Sequence, residues 1–247
     1  MTSSSPDTPG VAPRPARKRG PRPRLSQERI IEAAFRVSRE GGAQALTFQA
    51  IGAELGAHPT AIYRHFRDRD DLLLALLDAL HADALKTLPD ITDDWAADLA
   101  TLARCTYAAF QRHPEVAQHL GARTARRKHE FRKVERVVGC MLRAGFGPVD
   151  AARYYRVFSD FVLAYSVQDA ALAVLDAQHR EADLRAWQVD YRMLSDEEYP
   201  AINTVAHALP ALDDPQNFET ALGLMVDSLR LRAERVGTGA VADHSTA

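Results

Sequence analysis

Residues 47–66 read TFQAIGAELGAHPTAIYRHF, and this stretch decides the fold. Thr47 has the side chain of a helix N-cap, and Ile51 and Leu55 follow at helical spacing with Leu46 and Phe48 as further core candidates. Gly56 stops that helix after two turns, and Pro59 stands where a first helical turn tolerates proline. Ile62 and Phe66 give the second short helix its apolar side. A small residue, Gly52, lies where the second helix must cross the first, Gly56 makes the turn, and Ile62 locks the pair. That combination predicts a helix-turn-helix.

The flanks extend the pattern. Upstream, Ser26 caps a helix that carries Ile30, Ala33, Ala34 and Val37, and Gly41 and Gly42 stop it. Downstream, Asp68 with Asp71 three residues on opens a long helix through Leu72, Leu73, Leu76 and Leu80 to about Lys86. Residues 24–80 resemble the DNA-binding domain of the tetracycline-repressor (TetR) family. The resemblance is carried by Ile30-Ile31, Ala33-Ala34, Gly42, Leu46-Thr47, Ile51, Ala53, Leu55-Gly56, Thr60-Ala61-Ile62-Tyr63-Arg64-His65-Phe66 and the charged turn Arg67-Asp68-Arg69-Asp70-Asp71-Leu72-Leu73. Two positions depart from the family pattern: Gly52 stands where Ala is usual, which predicts a softer helix, and His58 stands where Ser often caps the recognition helix.

The rest of the chain also reads as helix. Asp93 or Asp94 opens a helix through Phe110 that Pro114 breaks, and a short piece surrounds Val116 and Leu120. A helix from about Thr124 to Ala144 puts Phe131, Val134, Val138 and Met141 on its apolar side. After a turn at Gly145–Pro148 comes a long apolar helix from Val149 to about Leu175. A polar segment with Trp187 and Tyr191, a short helix near Ile202 and a last helix from Pro215 follow. The expected organisation is all-α. A basic, disordered arm (1–24) precedes a three-helix helix-turn-helix domain (25–68). A long helix then joins that domain to a helical effector-binding and dimerisation domain (69–236), and a frayed tail follows (237–247).

Charge divides along the same line. Residues 1–69 hold twelve Lys and Arg against six Asp and Glu, while the remainder holds nineteen against twenty-seven. A basic front and an acidic body direct the front alone to a polyanion. No apolar run reaches the roughly 20 residues of a membrane span, and residues 1–24 lack the apolar h-region of a secretory signal, so none is expected there. The two cysteines, Cys105 and Cys140, lack metal-ligand spacing and fit a reducing cytoplasm. Phosphate loops, nucleophile elbows and metal motifs are absent from the sequence, so neither an enzyme nor a cofactor is expected.

Residue chemistry assigns roles on DNA. Thr47 and Gln49 are candidates for phosphates, as is Arg69. Pro59, Thr60 and Arg64 sit where a recognition helix faces base edges: Thr60 suits a thymine methyl, and Arg64 suits a guanine or a phosphate. The resemblance implies backbone contacts for Tyr63 and His65. Arg19, Arg22 and Arg24 in the arm suit phosphates or a minor groove. Two protomers then read a pseudo-palindromic double-stranded operator. The resemblance also implies a homodimer built on the last two long helices, with Tyr154, Phe158, Leu222, Met225 and Leu229 at the interface. For a small-molecule effector, the candidate lining is Trp95, Leu99, Leu102, Thr106, Phe110, Phe131, Val138, Phe161 and Tyr165. A regulator controlled by a protein partner or by abundance is the alternative. A filled sensor core favours that alternative, and a cavity above about 300 Å³ favours a ligand.

Overall fold

The computed structural model describes residues 25–243, apart from the side chains of 187, 188 and 238–243, and the regular structure in that span is helical. The arm with Arg19, Arg22 and Arg24 lies outside the described residues. Helix α1 (Gln27–Gly41) begins where Ser26 Oγ accepts the Arg29 N–H, and it buries Ile30, Ala33, Ala34 and Ser38. After a 3₁₀ turn at Ala43–Ala45, Thr47 caps α2 (Phe48–Leu55) by accepting the Ala50 N–H at 3.1 Å. Gly56 ends α2 at φ +60°, the left-handed conformation that disfavours a side chain. Helix α3 (Pro59–Ile62) is one turn long, and the chain continues through turns to Phe66. Helix α4 (Arg69–Lys86) has a reciprocal cap: Asp68 accepts the Asp71 N–H at 2.8 Å, and the Asp71 carboxylate accepts the Arg67 N–H at 3.1 Å.

Beyond α4 come α5 (Trp95–Gln111), the short α6 (Pro114–Ala117), α7 (Lys128–Arg143), α8 (Pro148–Ala173), α9 (Ala177–Gln188), α10 (Pro200–Val205) and α11 (Gln216–Asp243). Two apolar cores form. One runs from the helix-turn-helix into the second half: Ile30, Ile51, Ile62, Phe66, Leu72 and Leu76 pack in a single cluster with Phe110, Val116, Leu120 and Ala170. The boundary expected after residue 68 is therefore no break in packing. The other joins α5, α7, α8 and α11 through Leu99, Leu102, Val137, Met141, Phe158, Val162, Phe218 and Leu222. Helix α4 is buried on a broad face because it belongs to both halves.

Four expectations are corrected here. Helix α7 starts at Lys128 rather than near Thr124, because Arg126 takes φ +55° and interrupts helical geometry. Its buried face carries Lys133, Val137, Cys140 and Met141, which leaves Phe131 60% exposed. The segment around Trp187 and Tyr191 is helix α9 followed by a 3₁₀ turn at Asp190–Met193. Helix α11 continues past Val236 to Asp243, so its Gly and Ala residues do not end it.

The unusual Gly52 has a packing reason. A Cβ there would stand 2.8 Å from the Ala57 carbonyl oxygen and 3.5 Å from Pro59 N, both of them backbone atoms of the turn. Ala in a helix interior gains about 1 kcal/mol over Gly, but overpacking against atoms that cannot rotate away costs about 1–3 kcal/mol. Gly52→Ala is therefore expected to lower the thermal unfolding midpoint, despite its better helix propensity. An unchanged or raised midpoint would show that the turn yields freely.

Candidate nucleic-acid interface and ligand cavity

The helix-turn-helix presents its polar residues through the caps just described. Thr47, Gln49, Pro59 and Tyr63 line one shallow depression between α2 and α3. Tyr63 is 59% exposed and rests edge-on against Phe48, with ring centroids 4.7 Å apart. The His58 ring accepts the Thr60 N–H at 3.3 Å and also meets the Thr60 hydroxyl, so the expected weak cap is made. Thr60 and Arg64 are exposed one helical turn apart, and Arg64 has no hydrogen-bond or ion-pair partner among the described residues. His65 is half-buried, and its carbonyl accepts from Gln27 Nε2 at 3.1 Å. Arg69 needs correction as a phosphate ligand. Its Nε donates to the Leu46 carbonyl at 3.1 Å and its Nη2 to the Ala43 carbonyl at 3.0 Å, which pins α4 to the turn before α2.

The interface expectations on α8 and α11 are also corrected in part. Phe158, Leu222 and Leu229 are buried inside the protomer, in the α5/α7/α8/α11 core. Tyr154 and Met225 are half-buried against that core, and the Arg232 guanidinium lies 5.7 Å from the centre of the Tyr154 ring. The apolar surface on these helices belongs instead to Val149, Val157, Leu224 and Leu231.

Most of the expected pocket lining is solid core. Leu99 and Phe110 are fully buried, and Trp95, Phe161 and Tyr165 pack against the second core. Val138 is half-buried. Tyr107 stacks on Phe218 at 4.2 Å and donates to Asp169 at 2.6 Å, and Tyr165 meets Phe218 at 5.5 Å, so no room remains there. Leu102 and Thr106 face only a void of about 10 Å³, with the Thr106 hydroxyl donating to the Leu102 carbonyl. A cavity of about 750 Å³ lies between α4, the 118–124 loop, α7 and α8. Phe131 of the expected residues stands on it, at the exposed mouth.

Two residues in this cavity escaped the sequence reading. Lys133 is 6% exposed and His81 is 2% exposed, and both line it. Burial pushes His81 well below the usual histidine range, and the charges of Lys133 and His129 push the same way. Burial also pushes Lys133 down to about 8, against the pull of Glu130. The signal in the sequence was a charged residue interrupting the Val137/Cys140/Met141 stripe and a histidine interrupting the Leu77/Leu80/Ala84 stripe.

The loop beside the cavity and the start of α7 also clasp α4. The Arg123 guanidinium holds Asp70 at 2.8 Å, and Arg127 holds Asp71 at 2.6 Å. Asp78 accepts the N–H groups of His129 and Glu130 at 2.9 and 3.0 Å, and it meets the His129 ring at 2.8 Å. Glu130 turns back to accept the amides of Ala125 at 3.1 Å and Arg126 at 2.7 Å.

Comparison with known proteins agrees with this geometry. Residues 30–76 match the family described as bacterial regulatory proteins, tetR family, and residues 88–232 match the tetracyclin repressor-like C-terminal domain. An HTH-type transcriptional regulator of Saccharopolyspora erythraea is 27% identical over 205 residues, covering 81% of this chain and 84% of that protein. The class A tetracycline repressor protein from transposon 1721, of Escherichia coli, is 28% identical over 213 residues, covering 85% and 92%. The match to the repressor DrrR1 of Streptomyces coeruleorubidus is 34% identical but spans only 40% of this chain and 37% of that protein. Among solved structures, apo ActR of Streptomyces coelicolor superposes with a TM-score of 0.73 at 21% identity, covering 85% of this chain and 97% of that one. ActR in complex with actinorhodin gives 0.72 at 21% identity, covering 83% and 95%. BioQ with its double-stranded DNA operator gives 0.59 at 20% identity, covering 84% and 99%.

The buried lysine has a stability signature. Unfolded, Lys133 titrates near 10.5; folded, near 8. Between those values the unfolded chain binds the proton more tightly, so protonation favours unfolding. The penalty is complete below about 8 and is lost as pH rises toward 10.5. Lys133→Met is expected to exceed the wild type in urea midpoint at pH 7, and the gap should narrow steadily as pH is raised from 8 to 10. A gap independent of pH would mean that Lys133 carries no desolvation penalty.

Proposed function

This chain belongs to the TetR family of bacterial transcriptional regulators, and from that premise we propose that it is a repressor of this kind. It binds a pseudo-palindromic operator as a cytoplasmic homodimer, and a small molecule in the 750 Å³ cavity releases it. One observation carries the reading. Residues 118–124 and Glu130 wall the cavity, and the segment they bound grips the first turn of α4 through Arg123 and Arg127 and its middle through His129 and Glu130, α4 being the helix whose N-terminus is packed into the helix-turn-helix. A ligand that moves this loop moves α4. A change in the tilt of α4 alters the separation of two recognition helices, which must stand about 34–36 Å apart to enter successive major grooves. The cavity is larger than the roughly 300 Å³ at which small-molecule sites begin, which favours an effector over control by a partner protein.

On DNA, Thr60 and Arg64 take base edges, with Pro59 at the start of α3 facing the groove. Thr47, Gln49, Tyr63 and His65 take the backbone, and Arg19, Arg22 and Arg24 follow the phosphates. Arg69 is spent on its own loop and is left out of this set. The dimer forms through the outer faces of α8 and α11, where Leu224 is 70% exposed and Leu231, two turns on, is 56% exposed.

The test is fluorescence anisotropy with duplex from upstream of the chain's own gene, at physiological salt with excess competitor. Saturable nanomolar binding by two protomers per duplex is expected. Arg64→Ala should cost about 1–3 kcal/mol on that duplex and little on random sequence. An equal loss on both would remove Arg64 from base reading. If the gene's upstream DNA and a genome-wide selection both yielded no preferred sequence, the operator reading would fail. The double change Leu224→Arg with Leu231→Arg should leave the helical signal intact and produce monomers in sedimentation, with operator affinity lost. Persistent dimers would move the interface elsewhere.

A further inference from the structure

The cavity's chemistry narrows the ligand, and this step rests on the reading that the effector sits there. Lys133 reaches the cavity from the inner face of α7, buried beside Val137, Cys140 and Met141. It has no hydrogen-bond or ion-pair partner among the described residues. The other charged groups around the cavity are compensated. Arg123 is held by Asp70, and Arg156 is held by Asp160 at 2.7 Å. Glu130 is held by the amides of Ala125 and Arg126. From α4 comes His81, whose Nδ1 is buried without a hydrogen-bond partner. From α8 comes Tyr155, and His119 stands exposed at the loop. From α5, Leu102, Ala103 and Thr106 line a small neighbouring void together with Lys133.

A buried ammonium with no ion pair, eased only by the longer-range pull of Glu130, is costly, and a cationic ligand would add to that cost. A neutral ligand would leave it in place. An anionic head removes it, and the neutral imidazole beside it carries one N–H to donate as a second bond. The apolar part of the wall is Val134, Leu163 and Val167, with Phe131 at the mouth, and Gln118, Thr124 and Ser159 add uncharged polar groups. We propose that the cavity takes an organic acid, an apolar body whose carboxylate or equivalent oxyanion pairs with Lys133 and hydrogen-bonds His81.

The experiment uses the full-length protein and two fluorescent probes that share one skeleton. 1-Anilinonaphthalene-8-sulfonate carries the oxyanion, and N-phenyl-1-naphthylamine lacks it. At pH 7 the sulfonate should bind roughly tenfold tighter than the amine. Lys133→Met should erase that preference while leaving the amine's affinity unchanged, with circular dichroism reporting an intact fold. Lys133→Arg should keep the preference. Raising the pH from 7 to 9.5 should weaken sulfonate binding in the wild type alone, as Lys133 loses its proton among the Glu130, Asp160, Arg123, Arg156, His81 and Tyr155 side chains that share the cavity. Equal binding of the two probes, or a preference that survives in Lys133→Met, overturns the proposal. Operator anisotropy in the presence of each probe separates this from the release reading. Lys133-dependent sulfonate binding that leaves the operator bound supports the acid site and counts against release. Release by both probes alike supports the switch and overturns the acid.

Discussion

The carboxylate of Asp78 holds the two halves of this protein in register. Helix α7 begins without a side-chain cap of its own, since Arg127 occupies the cap position and makes no such bond. Its first amides would be left without acceptors. Asp78, from the middle of α4, takes the amides of His129 and Glu130 and places a negative charge at the positive end of the α7 dipole. The start of α7 is therefore fixed by α4. Arg123 and Arg127 add charge-assisted bonds to Asp70 and Asp71 nearer the helix-turn-helix. Helix α4 cannot slide or roll against the cavity wall without breaking several of these bonds together.

The packing extends the same constraint to the DNA-binding half. Because Ile30, Ile51 and Phe66 share one core with Phe110, Val116 and Leu120, the helix-turn-helix does not move as an independent bead on a linker. Arg69 adds a second tie, between α4 and the turn before α2. Were the α4 N-terminus displaced, as the proposed switch requires, α2 and α3 would have to move with it. Packed cores respond in this way because they have discrete arrangements and deform little.

What the sequence made legible follows from how local each interaction is. Ser26, Thr47, Gly56, Asp68 and Asp94 act within a few residues of themselves, so the ends of α1, α2, α4 and α5 could be read directly. The start of α7 could not, because its acceptor comes from Asp78, 51 residues earlier. Phe158, Leu222 and Leu229 looked available for a partner because both helices are apolar on wide faces. Periodicity does not say which of two faces the protomer uses for itself, and α5 packs against both helices and claims that one. The expected lining failed for a related reason. Large apolar residues fill space, and the real cavity is marked by polar residues where apolar ones were expected, Lys133 and His81.

Those two residues also bear on how a switch could be driven. A ligand shifts an equilibrium only by the difference between its affinities for the two states. Compensating Lys133 contributes to that difference only if the ammonium is placed differently in them. Lys133 is one turn along α7 from Glu130 and His129, whose amides are the ones bound to Asp78. A ligand that draws the first turn of α7 toward its own anion pulls on the same amides that Asp78 holds, so ligand and α4 compete for the position of one helix end. Couplings of about 1–3 kcal/mol are typical of such linkage. The loss or weakening of the Asp78 cap, whose bonds involve a charged acceptor and are each worth about 1.5–3 kcal/mol, is of that size. In the switch proposed above, the energy to move α4 would then come from the contact between cavity and connector, without any longer chain of interactions.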